Sequence, residues 1–361
     1  MTQSPRYLPQ DRRPGRGAAS RETGRFERLA YEDTDDGWDR DEELPPLRTE
    51  VSEERPRSLI AYNVSPDIPF DRSINPYRGC EHGCIYCFAR PSHAYLGLSP
   101  GLDFETRLIA RPDAPEVLSR ELRARRYQPQ TIAIGTNTDP YQPIERDRGI
   151  MRACLEVLRD FKHPVAIVTK GTLIERDIDI LRDLAADNLV RVGISVTTLD
   201  PALSRAMEPR VPAPARRLRS IERLSAAGIS VRVMASPMIP ALTDHELEPI
   251  LETARDAGAQ AASYIVLRLP REVSGLFQDW LAEARPDRAA RVMARVREMH
   301  GGRDYDPDWG KRMRGEGPFA KLLAARFDLA VKRLGLATAL PPLDCAKFRV
   351  PPRQGDQLSL F

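Results

Sequence analysis

Three cysteines lie within eight positions of the run Gly-Cys-Glu-His-Gly-Cys-Ile-Tyr-Cys-Phe. Cys80, Cys84 and Cys87 are separated by three and then by two residues, so one short loop can wrap all three thiols around a compact metal centre. Thiolates are soft ligands, and they favour zinc, copper(I) or iron–sulfur clusters over hard cations. Gly79 and Gly83 allow the left-handed backbone that such a tight loop requires. The run therefore predicts a thiolate metal centre.

The cysteine loop, residues 79–88, leaves a four-thiolate centre one ligand short, because the next cysteine is Cys154, far along the chain. A structural zinc ion completed by His82 or His93 is one alternative, since such ions take four nitrogen or sulfur ligands. Three unconnected buried thiols are another. Cys154 lies on an apolar helical stretch, and we expect it in the core.

The cysteine spacing, with Tyr86 at the aromatic position, resembles the Cys-x-x-x-Cys-x-aromatic-Cys signature of the radical S-adenosylmethionine (SAM) enzymes. The resemblance implies a [4Fe-4S] cluster on Cys80, Cys84 and Cys87, with a fourth iron open to chelate SAM. It also implies reductive cleavage of SAM to methionine and a 5′-deoxyadenosyl radical, which abstracts hydrogen from a substrate. The absence of a fourth cysteine then has a function, because it leaves one iron of the cluster open to bind SAM.

Two further segments are similar to the spore photoproduct lyase-like subgroup of that family. Asn-Pro-Tyr-Arg-Gly-Cys, residues 75–80, leads into the cysteines, and Gly-Thr-Asn-Thr-Asp-Pro-Tyr-Gln, residues 135–142, follows a later strand. The Gly-Gly-Glu run that is usual at the second position in the family is replaced here. The resemblance covers about residues 58–270.

Composition indicates a soluble globular chain. Of the 361 residues, 41% are hydrophobic and 30% are charged. No apolar run approaches the roughly 20 residues that span a bilayer, and the Arg-rich start lacks the apolar core of a secretory signal. Five cysteines, three of them in one loop, do not indicate a disulfide framework, so we expect a cytoplasmic protein without a membrane partner. A net charge of +3 is too small to establish a polyanionic partner.

The elements that must position the cysteines alternate between apolar strands and amphipathic helices, which predicts an α/β fold with a parallel sheet covered by helices. The pattern fits a partial (β/α)6 TIM-like barrel and an open doubly wound sheet equally well, and the resemblance implies the barrel. In either fold active residues lie at the carboxyl ends of the strands. Strands are predicted at 73–79, 131–135, 165–169, 190–196, 229–234 and 261–267, with helices at 115–126, 150–161, 173–186, 213–226 and 244–256.

Three segments flank this radical SAM core, which spans residues 58–270. The charged composition of residues 1–57, without hydrophobic periodicity, predicts a disordered arm. The arm is either a solvated tail or a segment that contacts nucleic acid. Residues 271–345 predict a helical C-terminal extension, and residues 346–361 a flexible tail.

Polar side chains after the strands are the candidate SAM ligands. By the resemblance, the end of the second strand contacts the amino group of the methionine moiety. A hydroxyl and a carboxylate after the fourth strand suit the ribose, and a guanidinium suits the methionine carboxylate. The predicted cofactor-binding residues are Tyr86, Gly135, Thr136, Asn137, Asp139, Ser195, Glu208 and Arg217. Turn capping by Asn137 or Asp139, and a plain surface salt bridge for Glu208 or Arg217, are the alternatives.

Two further residues are candidates for catalysis. Lys170, after the third strand, places a cation near an anionic substrate or else extends into water. Cys345 is a hydrogen-atom donor, a ligand or an inert thiol. Met238, after the fifth strand, either closes over the adenine or belongs to the core.

The last five residues, Gln357, Leu358, Ser359, Leu360 and Phe361, resemble the pentapeptide by which bacterial polymerases and repair proteins dock on the DNA sliding clamp. Apolar anchors on an extended peptide fit a preformed pocket, while the glutamine supplies a polar contact. A tail that folds back on its own domain is the alternative.

The resemblance implies a radical SAM enzyme that takes electrons from a one-electron donor such as flavodoxin or ferredoxin. The subgroup and the tail favour DNA or another nucleic acid as partner, with a DNA lesion as substrate of a repair-type lyase. An RNA or protein modification enzyme is the alternative within this chemistry. A zinc-stabilised adaptor that binds the clamp and nucleic acid without catalysis is the alternative from another class.

Overall fold

The computed structural model describes residues 15–27 and 47–352. Within them the strands are β1 (Glu50–Glu53), β2 (Ala61–Tyr62), β3 (Arg72–Ile74), β4 (Tyr77–Arg78), β5 (Arg107–Ala110), β6 (Ile132–Ile134), β7 (Val165–Thr169), β8 (Val190–Ser195), β9 (Ser230–Met238) and β10 (Ala261–Val266). The helices are α1 (Asp103–Thr106), α2 (Ala114–Leu122), α3 (Glu145–Arg148), α4 (Ile150–Asp160), α5 (Ile178–Ala186), α6 (Pro201–Met207), α7 (Pro214–Ala226), α8 (Leu247–Asp256), α9 (Glu272–Ala284), α10 (Pro286–Met299) and α11 (Gly317–Leu334). None of the helices in this part of the chain is long and apolar enough to cross a membrane.

The main sheet confirms the predicted α/β partial barrel. Its seven strands run in the order β10-β9-β8-β7-β6-β3-β2. Six of them, β3 and β6 to β10, pair in parallel, and β2 adds an antiparallel edge beside β3. Parallel neighbours in chain order need a crossover between each pair, and the helices supply it. The carboxyl ends of β6 to β10 therefore share one side of the sheet, called the site mouth below.

The residues of β7 show how each strand divides its two faces. Val165, Ile167 and Thr169 are buried, whereas Ala166 and Val168 between them are only half-buried. Side chains alternate across a strand, so the first set packs under helices and the second lines the concave interior. The outer face joins helix residues such as Cys154 of α4, which lies in the main apolar core as predicted.

A second, smaller sheet carries the chain into the cysteine loop. In it β5 pairs in parallel with β1 and antiparallel with β4. The single strand predicted over 73–79 is therefore two strands, because the chain leaves β3 of the barrel at Ile74 and joins the small sheet at Tyr77.

The C-terminal extension contributes to the barrel wall as well as to its helical cover. The backbone N–H of Val266, at the end of β10, donates to the carbonyl of Met313 at 3.0 Å. Directly before Met313, Arg312 Nε lies 2.5 Å from Asp67 Oδ2, and Gly310 N donates to Asp67 Oδ1 at 2.7 Å. Asp67 follows β2, so residues 310–313 join the two edges of the open sheet.

Two segments of the predicted disordered arm, residues 15–27 and 47–57, pack on the core instead. Gly17 N and Ala18 N each donate to the buried Glu105 carboxylate at 2.9 Å, and β1 extends the small sheet. Backbone hydrogen bonds to a buried carboxylate and strand pairing hold these segments in place. Neither leaves a hydrophobic period in the sequence, so the pattern did not predict their order. The rest of the arm, residues 1–14 and 28–46, lies outside the described residues.

Candidate active site

The three cysteine thiols lie together beside the site mouth. Cys80 and Cys84 are buried, Cys87 is half-buried, and all are free thiols. Burial, Asp139 and the two neighbouring thiols raise the pKa of Cys80 well above its usual value. Thiols that oppose one another's ionisation in this way fit a shared cationic centre, because bound iron supplies the positive charge that reverses the shift.

The backbone of the cysteine loop requires glycine at two positions. Gly79 and Gly83 have φ angles of 74° and 67°. A Cβ atom at Gly79 would lie 2.6 Å from Leu108 Cδ2, and one at Gly83 would lie 2.8 Å from Glu105 Oε2. Left-handed backbone and close neighbours therefore both exclude side chains here.

A fully buried arginine holds the cysteine loop through hydrogen bonds to its backbone carbonyls. Arg90 Nε donates to the carbonyl of Cys84 at 3.0 Å, and its Nη2 donates to the carbonyl of Gly83 at 3.2 Å. The same guanidinium pairs with the fully buried Glu105 at 2.5 Å. A planar, permanently charged donor suits several carbonyls at once, so this pair fixes the loop whether or not a cluster is bound.

Gln142 ties the loop to the segment after β6. Its Nε2 donates to the carbonyl of Gly79 at 3.2 Å, and its Oε1 accepts from the backbone N–H of Glu81 at 2.9 Å. The amide is fully buried and uses both of its polar ends on the loop backbone. Its contacts make Gln142 a positioning residue.

Asp139 makes the matching connection to β7. Its carboxylate accepts from Thr169 Oγ1 at 2.6 Å and from Lys170 N at 2.8 Å, and it lies 3.3 Å from His82 Nδ1 in the loop. Burial by itself would raise the pKa of Asp139, but His82 and these donors lower it to about 2. Both oxygens are occupied by protein donors, so Asp139 positions the site, and its predicted contact with SAM stays a prediction.

Tyr86, Glu208 and Arg217 form one buried hydrogen-bonded network, and their predicted contacts with SAM stay predictions. Tyr86 Oη donates to Glu208 Oε1, and Arg217 Nη2 donates to Glu208 Oε2 at 2.7 Å. Thr197 Oγ1 adds a bond to Glu208 at 3.0 Å, and Arg217 Nη1 donates to the carbonyl of Ser195 at 3.0 Å. Although burial opposes it, Arg217 and then Lys170 hold the pKa of Glu208 below its usual value. The pair is fully buried, so the predicted surface salt bridge is excluded.

The end of β6 offers freer polar groups. Thr136 and Asn137 are half-buried, and neither side chain has a hydrogen-bond partner among the described residues. Gly135 beside them has a φ of 86°, and a Cβ there would lie 1.8 Å from the carbonyl oxygen of Val168. The close packing of Gly135 against β7 is enough to require glycine here, whether or not a cofactor binds. These two side chains are available to a ligand, and so is the Ser195 hydroxyl, which likewise has no hydrogen-bond partner among the described residues.

Lys170 and Met238 both follow or end strands at the site mouth, but only Lys170 reaches the cysteine loop. The ammonium of Lys170 lies 5.7 Å from the centroid of the Tyr86 ring. Burial would lower the pKa of Lys170, but Cys84, Glu208 and Asp139 raise it overall. Met238, at the end of β9, is fully buried in the apolar core, which favours the core role over a contact with adenine.

Cys345 does not fit the catalytic role predicted for it. Its thiol lies close to the backbone of Thr131. Thr131 precedes β6, whereas the cysteine loop lies near the carboxyl end of that strand. The segment after the last helix therefore places this thiol at the amino ends of the barrel strands, at the opposite end of the barrel from the site. The clamp-like pentapeptide, residues 357–361, lies outside the described residues.

Neither histidine completes a single-metal site. His82 is engaged with Asp139, and His93 Nε2 lies 2.9 Å from the carbonyl of Arg107. Among residues 15–27 and 47–352, no three His, Cys, Asp or Glu side chains are arranged to hold one ion. An iron–sulfur cluster has a different requirement, because each of its thiolates binds a different iron. The three thiols fit that donor set.

Fold and site together place three thiols beside the carboxyl ends of the parallel strands of a partial barrel, where barrel enzymes carry their active sites. The Radical SAM superfamily matches residues 74–254, and the chain belongs to that family. Its members use a [4Fe-4S] cluster and SAM, and they generally take electrons from a one-electron donor. Radical SAM catalysis is thus the activity of this chain's class.

Similar proteins occur in bacteria and archaea. An uncharacterized protein of Mycobacterium tuberculosis is 38% identical over 242 residues, which are 66% of this chain and 70% of that protein. An uncharacterized protein of Methanocaldococcus jannaschii is 26% identical over 174 residues, which are 48% of this chain and 62% of that protein.

Solved structures of spore photoproduct lyase share the fold. One variant superposes with a TM-score of 0.59 and 14% identity, over 80% of this chain and 81% of that one. Another, with bound AdoMet and dinucleoside spore photoproduct, gives a TM-score of 0.58 and 14% identity over 80% of each chain. At this identity the match establishes the barrel architecture.

Proposed function

We propose that Cys80, Cys84 and Cys87 hold the [4Fe-4S] cluster and that SAM binds across the site mouth. Three free thiols in a loop fixed by buried Arg90 and Gln142 are the observation that supports this assignment. With both groups bound, the chemistry supplied is one-electron cleavage of SAM to methionine and a 5′-deoxyadenosyl radical that takes hydrogen from the substrate.

The chain's own residues bind and orient. Asn137 and Thr136 supply free polar groups after β6, which suit the amino group of SAM. The Ser195 hydroxyl is free to meet a ribose hydroxyl, while Glu208, held ionised by Arg217, fixes Tyr86 beside it. Lys170 places a cation next to that carboxylate. Fixed groups of this kind lower the cost of holding the reacting carbon near its target hydrogen and keep water out.

The substrate that we propose is a lesion in DNA, which would make the protein a repair-type lyase of the cytoplasm. The shared architecture with spore photoproduct lyase, and a structure of that protein with a dinucleoside photoproduct, support the choice. Modification of RNA or protein by the same radical is the second candidate, because the barrel and cofactor serve either. The zinc adaptor is less well supported, since the family match is to catalysts.

The experiment that tests this function is anaerobic purification followed by iron and sulfide analysis. We expect a brown protein with about four irons per chain. Incubation with dithionite and SAM should then give 5′-deoxyadenosine, because an open iron admits the cofactor. Chromatographic quantification of 5′-deoxyadenosine is the measurement. A colourless protein that contains zinc, or a cluster that never cleaves SAM, would contradict the proposal.

We further propose that Gln357 to Phe361 dock on the DNA sliding clamp. Leu358, Leu360 and Phe361 are apolar anchors that suit a preformed groove. Deleting residues 357–361 should abolish binding to immobilised clamp in surface plasmon resonance. Replacing Ser359 with Ala, which keeps every anchor, is the matched control. Binding that survives the deletion would refute the docking proposal and leave the radical chemistry untouched.

A further inference from the structure

Two aromatic residues flank Cys87, and each faces a cation that comes from the end of a barrel strand. Tyr86 lies against Lys170, which follows β7. On the other side, the Arg268 guanidinium carbon, two residues beyond β10, lies 4.7 Å from the centroid of the Phe88 ring. The site mouth therefore presents two positive groups beside the cysteine loop, one on each side of it.

The two cations differ in how their charge is compensated. Lys170 lies near two carboxylates, those of Glu208 and Asp139, which offset its charge. Among the described residues no carboxylate pairs with Arg268. The nearby Asp67 already binds Arg312 and the backbone of Gly310.

The donors of Arg268 are also poorly used. One Nη lies 3.3 Å from Tyr305 Oη, the other lies 3.5 Å from Met313 Sδ, and the buried Nε has no partner. A half-buried guanidinium normally satisfies its five donors with carboxylates, phosphates or carbonyls. Charge and unused donors both indicate that this site accepts an anion.

Aromatic faces surround the guanidinium. Arg268 lies between Phe88 and Tyr305, whose ring centroid is 6.0 Å away. Phe88 is 44% exposed, and on the segment that carries Tyr305 the ring of Trp309 is 59% exposed. Proteins that bind single-stranded nucleic acid combine basic groups for the backbone with exposed rings on which bases stack. A small carboxylate ligand would bind the guanidinium but would have no group to stack on these rings.

We propose that Arg268, Phe88 and Tyr305 form a substrate subsite for an unpaired nucleic-acid strand, in which the guanidinium binds a phosphodiester and Phe88 stacks on a base. The subsite deepens the proposed function, on which it rests, because it places the strand beside Cys87 at the same mouth. DNA and RNA share this chemistry, and the test below separates them.

The test is fluorescence anisotropy on cluster-loaded protein under anaerobic conditions, with a labelled single strand of about 12 nucleotides as DNA and as RNA. We expect Arg268→Gln to weaken binding by roughly tenfold and to reduce the slope of log affinity against log salt by about 0.7. Phe88→Leu should weaken binding by about tenfold without a change in salt slope, because it removes stacking and no charge. Tighter binding of one nucleic acid identifies which of the two the subsite prefers.

Arg295→Gln is the matched control. Arg295 on α10 also lies over a ring, 5.3 Å from the Phe319 centroid, and its loss changes the net charge equally. Equal losses in the Arg268 and Arg295 variants, or no loss in either, would overturn the subsite. So would an Arg268→Gln protein that loses affinity for SAM alone, since the anion would then be the SAM carboxylate. Failure of the proposed function looks different: wild-type protein would bind the strand yet form no 5′-deoxyadenosine.

Discussion

Cys84→Ala is expected to remove the cluster and, with it, all formation of 5′-deoxyadenosine. Cys84 is the central thiol of the three, and Arg90 fixes its carbonyl, so alanine at this position should keep the loop in place and remove only the thiol. Iron should fall below about one per chain, because cluster binding depends on the complete set of thiolates. Iron analysis, visible absorbance and chromatographic detection of 5′-deoxyadenosine measure the change together.

Cys345→Ala is the matched control for that variant. It also removes one thiol, but from the opposite end of the barrel, beside Thr131. We expect full iron content and wild-type SAM cleavage. An iron-loaded Cys84→Ala protein that still cleaves SAM would refute the ligand assignment. A loss of SAM cleavage in Cys345→Ala with the cluster intact would restore the role that the sequence first suggested for this cysteine.

The barrel strands were predictable because each is a short, continuous apolar run between polar turns. β7 matches its prediction at both ends, and β8 and β10 match to within one residue. A strand buried on both sides tolerates little polarity, so its ends are marked by the first polar or small residues. The choice of a barrel over an open sheet came from the cysteine motif, since periodicity is the same in both.

The supports of the cysteine loop were not predictable from the pattern. Arg90, Glu105 and Gln142 are polar residues in segments without period, and such residues are usually exposed. Here each is fully buried, because loop carbonyls and N–H groups need partners that no sheet or helix supplies. The same holds for Asp67 and residues 310–313, which join the barrel edges through contacts far apart in sequence.

The network of Tyr86, Glu208 and Arg217 was predictable only in part. Its members are distant in sequence, and only the family resemblance brought them together. The resemblance assigned them to SAM, whereas the structure gives each of them a protein partner first. A buried carboxylate must be paired to remain ionised, so these contacts are explained by the structure itself, and the cofactor role stays a proposal.

Arg217→Met is expected to lower the free energy of unfolding by about 3–5 kcal/mol, because it leaves the Glu208 carboxylate buried without its counter-charge. Both side chains are fully buried in this pair. Urea unfolding of anaerobic, cluster-loaded protein, followed by circular dichroism, gives the value. Arg333→Met is the matched control: its pair with Glu252 is exposed, so its loss should cost less than about 1 kcal/mol.

The loss in Arg217→Met should depend on pH with a definite sign. In the native protein Arg217 holds the pKa of Glu208 low against the effect of burial. Without that guanidinium, burial raises the pKa of Glu208 above its unfolded value, so protonation favours the folded chain and the loss shrinks as pH falls. Adding Glu208→Gln to Arg217→Met removes the stranded charge and should restore part of the stability at pH 8. A loss that is the same at pH 5 and pH 8, and that Glu208→Gln does not relieve, would mean that Arg217 stabilises the fold through its bonds to Ser195 and Ser204.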